Sequence, residues 1–316
     1  MQAFQNLNSP LQHLDTISGV QLWLKRDDLI HPEVSGNKWR KLKYYLEDFK
    51  KSGKEIILTF GGAFSNHLEA TAAIGQITGI STKALVRGEE ITDNPTLDFC
   101  RSCGMEIEAI SRKRYETKDD PEFRMIMHET LPEVYLIPEG GKGPLGMKGC
   151  TEILDEVDQS FDVVASAGGT GTTMAGLLLS GFTTRFILFP ALKGGVFLRR
   201  AIYQQMAEYK HLFSTEGIGK NEAMERLEIE ENYHFGGYGK VSPELIDFMN
   251  QFSQKYGVAL DPVYTGKMLF GLMEKIERGD FQDGTRILAL HTGGLQGIKG
   301  MNERLKHKNL RINYEG

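Results

Sequence analysis

Apolar runs of strand length alternate along the chain with longer, helix-like stretches. Residues 20–26 read as a strand, closed by Asp27-Asp28. Residues 39–51 read as a helix ended by Ser52-Gly53, with Gly53 as a plausible C-cap. The order then repeats: strand 54–60, alanine-rich helix 68–79, strand 81–86, a helix opened by Thr92-Asp93-Asn94-Pro95 and running to Cys103, and strand 104–110. A polar stretch at 111–120 precedes a helix near 121–129 and a strand at 134–138. After a turn-rich break at 139–144 come helix 145–157, strand 161–166, helix 174–180 and strand 185–190. Residues 193–232 are mostly helical without clear bounds. Ser242 as N-cap and Pro243 at the first helical position open a helix to Tyr256; 264–278 is a further helix and 286–290 the last strand. Residues 1–19 are expected to form a loop and a short arm, broken at Asn8-Ser9-Pro10. Strands separated by helices at this spacing predict parallel βαβ units.

Composition narrows the class. A chain of 316 residues implies about two domains, and 40% hydrophobic residues are enough for a sizeable core. A net charge of −5 gives no reason to expect a nucleic-acid partner. No apolar run approaches the roughly 20 residues needed to span a bilayer, so no membrane association is expected. Residues 1–15 lack the basic and apolar regions of a signal peptide, and a cytoplasmic location is the expectation. Of the three cysteines, Cys100 and Cys103 form a C-x-x-C, but only Cys150 remains to complete a zinc set. Two packed thiols on a helix, and no metal, are expected.

The chemistry gathers around Val34-Ser35-Gly36-Asn37-Lys38-Trp39-Arg40-Lys41. Here a strand leads through a tight loop into a helix that starts with a lysine. A helix N-terminus suits an anion, and its positive field lowers the pKa of a lysine placed there. A deprotonated lysine attacks carbonyls. Taken alone, the run serves equally well as a solvated basic helix face. A second element, Gly168-Gly169-Thr170-Gly171-Thr172-Thr173, lies between a strand and a helix. Its small residues let N–H groups converge on a phosphate, or simply pack helix on strand. It matches neither a P-loop nor a dinucleotide fingerprint, since no Gly-Lys-Ser/Thr follows and Met174 stands where the last glycine belongs. One lysine for an aldehyde and one cup for a single phosphate fit pyridoxal phosphate.

Five motifs carry a resemblance: Gly36-Asn37-Lys38-Trp39-Arg40-Lys41, Gly62-Ala63-Phe64-Ser65-Asn66-His67, Gly169-Thr170-Gly171-Thr172-Thr173, Asp261-Pro262-Val263-Tyr264-Thr265-Gly266-Lys267 and His291-Thr292-Gly293-Gly294. They span residues 20–300 in family order. On them the chain resembles the tryptophan synthase β-like, fold-type II pyridoxal-phosphate enzymes. Within these it is similar to the 1-aminocyclopropane-1-carboxylate (ACC) deaminase and D-cysteine desulfhydrase subfamily. The resemblance implies an α/β fold with two open, twisted, mostly parallel sheets flanked by helices. It implies a large domain from 1–44 and 146–316, a small inserted domain from 45–145, and a homodimer.

The same resemblance assigns roles. Lys38 would bind the cofactor's aldehyde and later move protons. Lys41, with Gly169, Thr170, Gly171, Thr172 and Thr173, would hold the phosphate. Asn66 would bond the pyridoxal 3′ oxygen, and Thr292 would face the pyridine nitrogen. Ser65, with the N–H groups around it, would bind the substrate carboxylate, with Asn66 and His67 beside it. Tyr264 and Tyr238 are the active-site tyrosines. Taken alone, Ser65 reads equally as a helix N-cap and Asn66 as a turn residue, while Tyr264 is more often a core or rim aromatic and His67 more often a helix-start hydrogen-bonder than a base.

ACC deaminases carry glutamate after the tyrosine matching Tyr264, Ser-Asn-Gln in place of Ser65-Asn66-His67, and no threonine matching Thr292. Thr265, His67 and Thr292 therefore follow the desulfhydrase pattern. A hydroxyl partner leaves the pyridine nitrogen largely unprotonated and weakens the ring as an electron sink. Elimination needs less of that sink than opening a cyclopropane. The expectation is α,β-elimination on a small amino acid, D-cysteine first, giving pyruvate, ammonia and sulfide. ACC deamination, a non-catalytic pyridoxal-phosphate-binding protein, and an L-serine or L-threonine dehydratase are the alternatives. Phe64, where glutamine is commoner, and Gly293-Gly294-Leu295-Gln296, which lacks the usual proline, depart from the family pattern and would reshape the substrate pocket.

Overall fold

The computed structural model describes residues 4, 7–91, 94–213 and 219–314. Ten strands form two sheets. The chain opens with β1 (Leu11–Ile17), antiparallel to β2 (Val20–Lys25). Helix α1 (Asn37–Ser52) follows, stopped by left-handed Gly53. Next come β3 (Ile56–Gly61), α2 (Asn66–Thr78), β4 (Ser81–Arg87), α3 (Pro95–Ser102) and β5 (Glu106–Ile110). Two short helices, α4 (Arg112–Glu116) and α5 (Pro121–Thr130), lead to β6 (Val134–Leu136). Helix α6 (Pro144–Thr151), β7 (Val163–Gly168), α7 (Thr172–Leu178) and β8 (Arg185–Pro190) come next. The remainder is α8 (Phe197–Phe213), α9 (Lys220–Glu225), β9 (Leu227–Ile229), α10 (Pro243–Tyr256), α11 (Thr265–Glu277), β10 (Arg286–Leu290) and α12 (Gly297–Leu305).

The six-stranded sheet runs β1-β2-β10-β7-β8-β9, parallel except for β1. The four-stranded sheet runs β5-β4-β3-β6, parallel throughout. Central strands are apolar on both faces because helices cover both. In β7 the alternation sends Val163 and Ala165 to one side, with Leu245, Met268 and Leu272 of α10 and α11. Val164 goes to the other, with Met147, Cys150, Leu177 and Ile202 of α6, α7 and α8. Truncating a fully buried leucine in either layer costs about 2–5 kcal/mol. The small sheet is covered on one face by α1, α2 and α3, and on the other by Tyr115, Phe123 and Met127 of α4 and α5.

Several elements depart from the sequence-based expectations. Residues 11–17 are a strand, not a loop; as an edge with a register shift between His13 and Asp15, β1 lacks clean alternation. A short helix, α4, interrupts the polar stretch at 111–120, capped by Ser111. Helix α6 ends at Thr151 rather than 157. Strand β9 and helix α12 were not expected: β9 has three residues, and Gly297 and Gly300 mask the helical pattern of α12. Thr92 and Asp93 lie outside the described residues, but Asn94 caps α3 through Thr96 and Leu97 N–H. Among the described residues no helix is long and apolar enough to cross a membrane.

Candidate active site

Both parallel sheets aim the C-terminal ends of their strands at one cavity of about 500 Å³. Such ends are where open α/β sheets bind ligands. Loops after β3, β7 and β10 supply Ser65, Gly169 and Thr292, and helix α1 supplies Lys38 and Lys41. The cavity lining contains every residue to which the sequence assigns a site role, Lys38, Lys41, Ser65, Asn66, His67, Gly169, Thr170, Gly171, Thr172, Thr173, Tyr238, Tyr264 and Thr292, but not Leu295 or Gln296, which were expected to reshape the pocket.

Lys38 lies in the first turn of α1, one turn from Lys41. The loop before it is fixed by close packing. Gly36 has φ 70°, and a side chain there would collide with the Thr292 carbonyl. Asn37 N–H donates to that same carbonyl at 3.2 Å, and Asn37 Nδ2 donates to Thr173 Oγ1 at 3.1 Å. Asn37 thus ties the lysine helix to β10 and to the glycine-threonine turn. Burial, then the nearby Lys41, pushes the Lys38 ammonium well below the ordinary lysine value. Burial lowers Lys41 as well, and among the described residues no carboxylate pairs with it.

The glycine-threonine turn is held from behind. Thr172 Oγ1 donates to Gln205 Oε1 at 2.7 Å, and Gln205 Nε2 donates to the Thr170 carbonyl at 2.9 Å. Gln205 escaped the sequence argument. Its signal was a polar residue on the buried stripe Leu198, Ile202, Met206 and Tyr209 of α8.

Ser65 caps α2, accepting from Leu68 N–H at 3.4 Å. Its hydroxyl proton remains for an acceptor, so capping and carboxylate binding coexist in one residue. Asn66 and His67 begin the helix, where N–H groups have no helical partner. His67 Nε2 meets Thr59 Oγ1 at 2.8 Å, and Thr59 donates its proton to the Ile137 carbonyl at 2.8 Å. Nε2 must therefore donate, which leaves Nδ1 as an acceptor; it has no partner. Burial, then Lys38 and Lys41, holds His67 well below its ordinary pKa, so the ring is neutral.

Asp261 accepts the N–H groups of Val263, Tyr264 and Thr265 at 2.7, 2.9 and 3.1 Å and so shapes the turn that presents Tyr264. The Tyr264 hydroxyl lies beside Gly169, and its ring meets Tyr238 edge to face at 6.2 Å. Burial raises the Tyr264 phenol well above its ordinary value, so it is neutral in the neutral range, while the Tyr238 side chain beside it is exposed. Thr265 is fully buried, accepts from Asp261 N–H at 2.9 Å and lies outside the cavity lining. Of Thr265 and Thr292, it is Thr292 that lines the cavity. Lys267 donates to the carbonyls of Ala191, His234 and Gly237, anchoring the loop that carries Tyr238. Burial lowers it to about 8.

The residues fit a phosphorylated aldehyde. A low-pKa amine, a buried ammonium with no carboxylate and a turn of convergent N–H and hydroxyl groups line one cavity. Gly140 and Gly141, both left-handed, bring backbone beside Lys38 and Lys41, and a side chain at Gly141 would crowd Lys41. Fold and donor set together define a fold-type II pyridoxal-phosphate enzyme.

The chain belongs to the pyridoxal-phosphate dependent enzyme family, whose model matches residues 3–293. A Pyrococcus horikoshii protein provisionally named as a 1-aminocyclopropane-1-carboxylate deaminase is 31% identical, over 94% of this chain and 92% of its own. A D-cysteine desulfhydrase of Yersinia pestis is 28% identical, over 90% and 91%. A solved structure described as an ACC deaminase homologue matches with TM-score 0.82 and 29% identity, over 96% of this chain and 94% of the other. The chain is thus a pyridoxal-phosphate-dependent enzyme of the lyase and deaminase group that joins ACC deaminases with D-cysteine desulfhydrases.

Proposed function

We propose that this enzyme catalyses α,β-elimination on a β-substituted alanine, with D-cysteine converted to pyruvate, ammonia and sulfide. One observation carries the proposal: the cavity lining that includes Lys38 and Tyr264 also includes a threonine, Thr292, the residue assigned to the cofactor's ring nitrogen. The cofactor, when bound, supplies an electron sink conjugated to the substrate's Cα. Lys38 would hold its aldehyde carbon, with Lys41 and the turn Gly169–Thr173 on its phosphate, Asn66 on its 3′ oxygen and Thr292 at its ring nitrogen. Ser65 and the N–H groups of Asn66 and His67 would bind the substrate carboxylate. Lys38 Nζ would take the α-proton of the bound substrate. The C–S bond breaks with its electron pair on sulfur, and Tyr264 or Tyr238, as a neutral phenol, stands ready to protonate the thiolate. The released dehydroalanine takes up water and yields pyruvate and ammonia.

ACC ring opening is the second reading, favoured by the name of the Pyrococcus horikoshii relative. The deciding experiment offers D-cysteine, L-cysteine and ACC to the loaded enzyme. Pyruvate from D-cysteine supports elimination; 2-oxobutanoate from ACC without pyruvate from either cysteine overturns it. The division into 1–44 with 146–316 and 45–145 belongs to the same proposal. Its support is that all four strands of the small sheet lie between residues 56 and 136.

A further inference from the structure

Arg87 ends β4, at the rim of the small sheet, and its side chain lines the same cavity. Its guanidinium lies 5.8 Å from the centre of the Tyr115 ring, a distance suited to a cation–π contact that aims the side chain. Among the described residues it has no carboxylate partner. That alone is ordinary for an exposed arginine. The charges around it make it informative.

Lys118 shares the Tyr115 ring, at 4.8 Å, but is paired with Glu139 at 3.2 Å and Asp119 at 3.3 Å. Glu139 is a carboxylate bordering the cavity, and Lys118 already takes up its charge. In the proposed function Lys38 serves the aldehyde, Lys41 the phosphate, and Ser65 with its neighbouring N–H groups the α-carboxylate. Among the described residues Arg87 is the one cavity cation with no task. It stands on the four-stranded sheet, whereas the glycine-threonine turn follows β7 of the six-stranded sheet. Phe64, about half exposed, also borders the cavity, with its ring against Gly300 of α12.

We infer that the preferred substrate carries a second anion, a carboxylate, sulfonate or phosphate, at the end of its β-substituent, and that Arg87 binds it. The apolar stem would lie along Phe64. D-cysteine is then a minimal substrate that lacks the recognised end. The inference rests on the elimination reading and specifies the substrate class of that site. A guanidinium binds such groups through two parallel charge-assisted hydrogen bonds, which a neutral isostere cannot match.

The test compares S-carboxymethyl-D-cysteine with its neutral amide, S-carbamoylmethyl-D-cysteine, on the loaded enzyme. The wild type should favour the acid by about 10–100-fold in kcat/KM. Arg87→Gln should bring that ratio near one while keeping the bound cofactor's visible absorbance, and Arg87→Lys should restore part of the preference. A wild-type ratio near one, an unchanged ratio in Arg87→Gln, or loss of cofactor from that variant would overturn the inference. The last result would place Arg87 on the cofactor instead. If neither compound releases pyruvate, calorimetric binding of each is measured. Tighter, Arg87-dependent binding of the acid would support the inference even as the elimination reading fell. No binding of either would overturn it.

Discussion

Helix α1 presents two kinds of buried cation within one turn. Arg40 points back into the protein, where it meets Asp27 and Glu156; Glu156 also takes Lys25, and Ser9 Oγ donates to Asp27 at 2.6 Å. Lys38 and Lys41 point into the cavity and meet no carboxylate. The first cluster neutralises itself and locks the helix to β2 and to the segment after α6. The second is left unneutralised, and only a ligand can complete it. Burial of a cation therefore says little about its role; the partners around it decide.

Removing a group on the cavity side should have the largest effect. Lys38→Ala should lower turnover by about 10²–10⁴-fold and abolish the absorbance of lysine-bound cofactor; wild-type turnover would remove this lysine from the chemistry. On the protein side, Arg40→Met leaves buried Asp27 without its cation and Glu156 with Lys25 alone. It should cost about 3–5 kcal/mol in urea unfolding. A change within experimental error would mean the cluster is not a lock.

Stability should rise with pH on both faces, and the pH window separates them: near the lysine range for the cavity side, near the carboxylate range for the protein side. Lys38 and Lys41 have folded values below the unfolded 10.5, so between those values and 10.5 the unfolded chain binds more protons. The cofactor-free protein should gain stability as pH rises toward 10.5, with Lys267 contributing between about 8 and 10.5. Burial raises Glu156, but Arg40 and Lys25 hold it below its ordinary 4.5. Its stabilisation is present above 4.5 and is lost as pH falls through the folded value. A midpoint that does not rise between pH 8 and 10 would contradict the cavity-side assignment. The smallest effect is expected for Lys41→Met. It should stabilise the cofactor-free chain by about 0.5–2 kcal/mol while weakening cofactor retention on dialysis. Unchanged retention would take Lys41 off the phosphate.

The same contrast explains what was legible in the sequence. Cavity groups sit on short loops between strongly patterned elements, so Lys38, Ser65, Gly169–Thr173 and Thr292 stood out by local order. The strands 185–190 and 286–290 were legible for the same reason, being apolar on both faces. Supporting contacts were not legible, because their partners lie far apart in the chain. Glu156 reaches Arg40 across the fold, and Gln205 holds Thr170 from a helix whose bounds were unclear. Thr265 shows the opposite failure. Its neighbour Tyr264 borders the cavity, but the helix turn directs its hydroxyl to Asp261. Arg87 ends a strand with no motif around it, and only its place in the cavity gives it meaning.

The position of β10 has a consequence in time. It lies between β2 and β7, and residues 286–292 follow every other part of the large sheet off the ribosome. Until they emerge, β2 and β7 share no neighbour, and Gly36 and Asn37 lack the carbonyl that fixes the lysine loop. The nascent chain thus carries the reactive amine through most of its synthesis without a pocket around it. Contacts of such long sequence separation close late. Cofactor capture is therefore one of the last events in the making of this enzyme, and a chain cut short before residue 286 would not form the site.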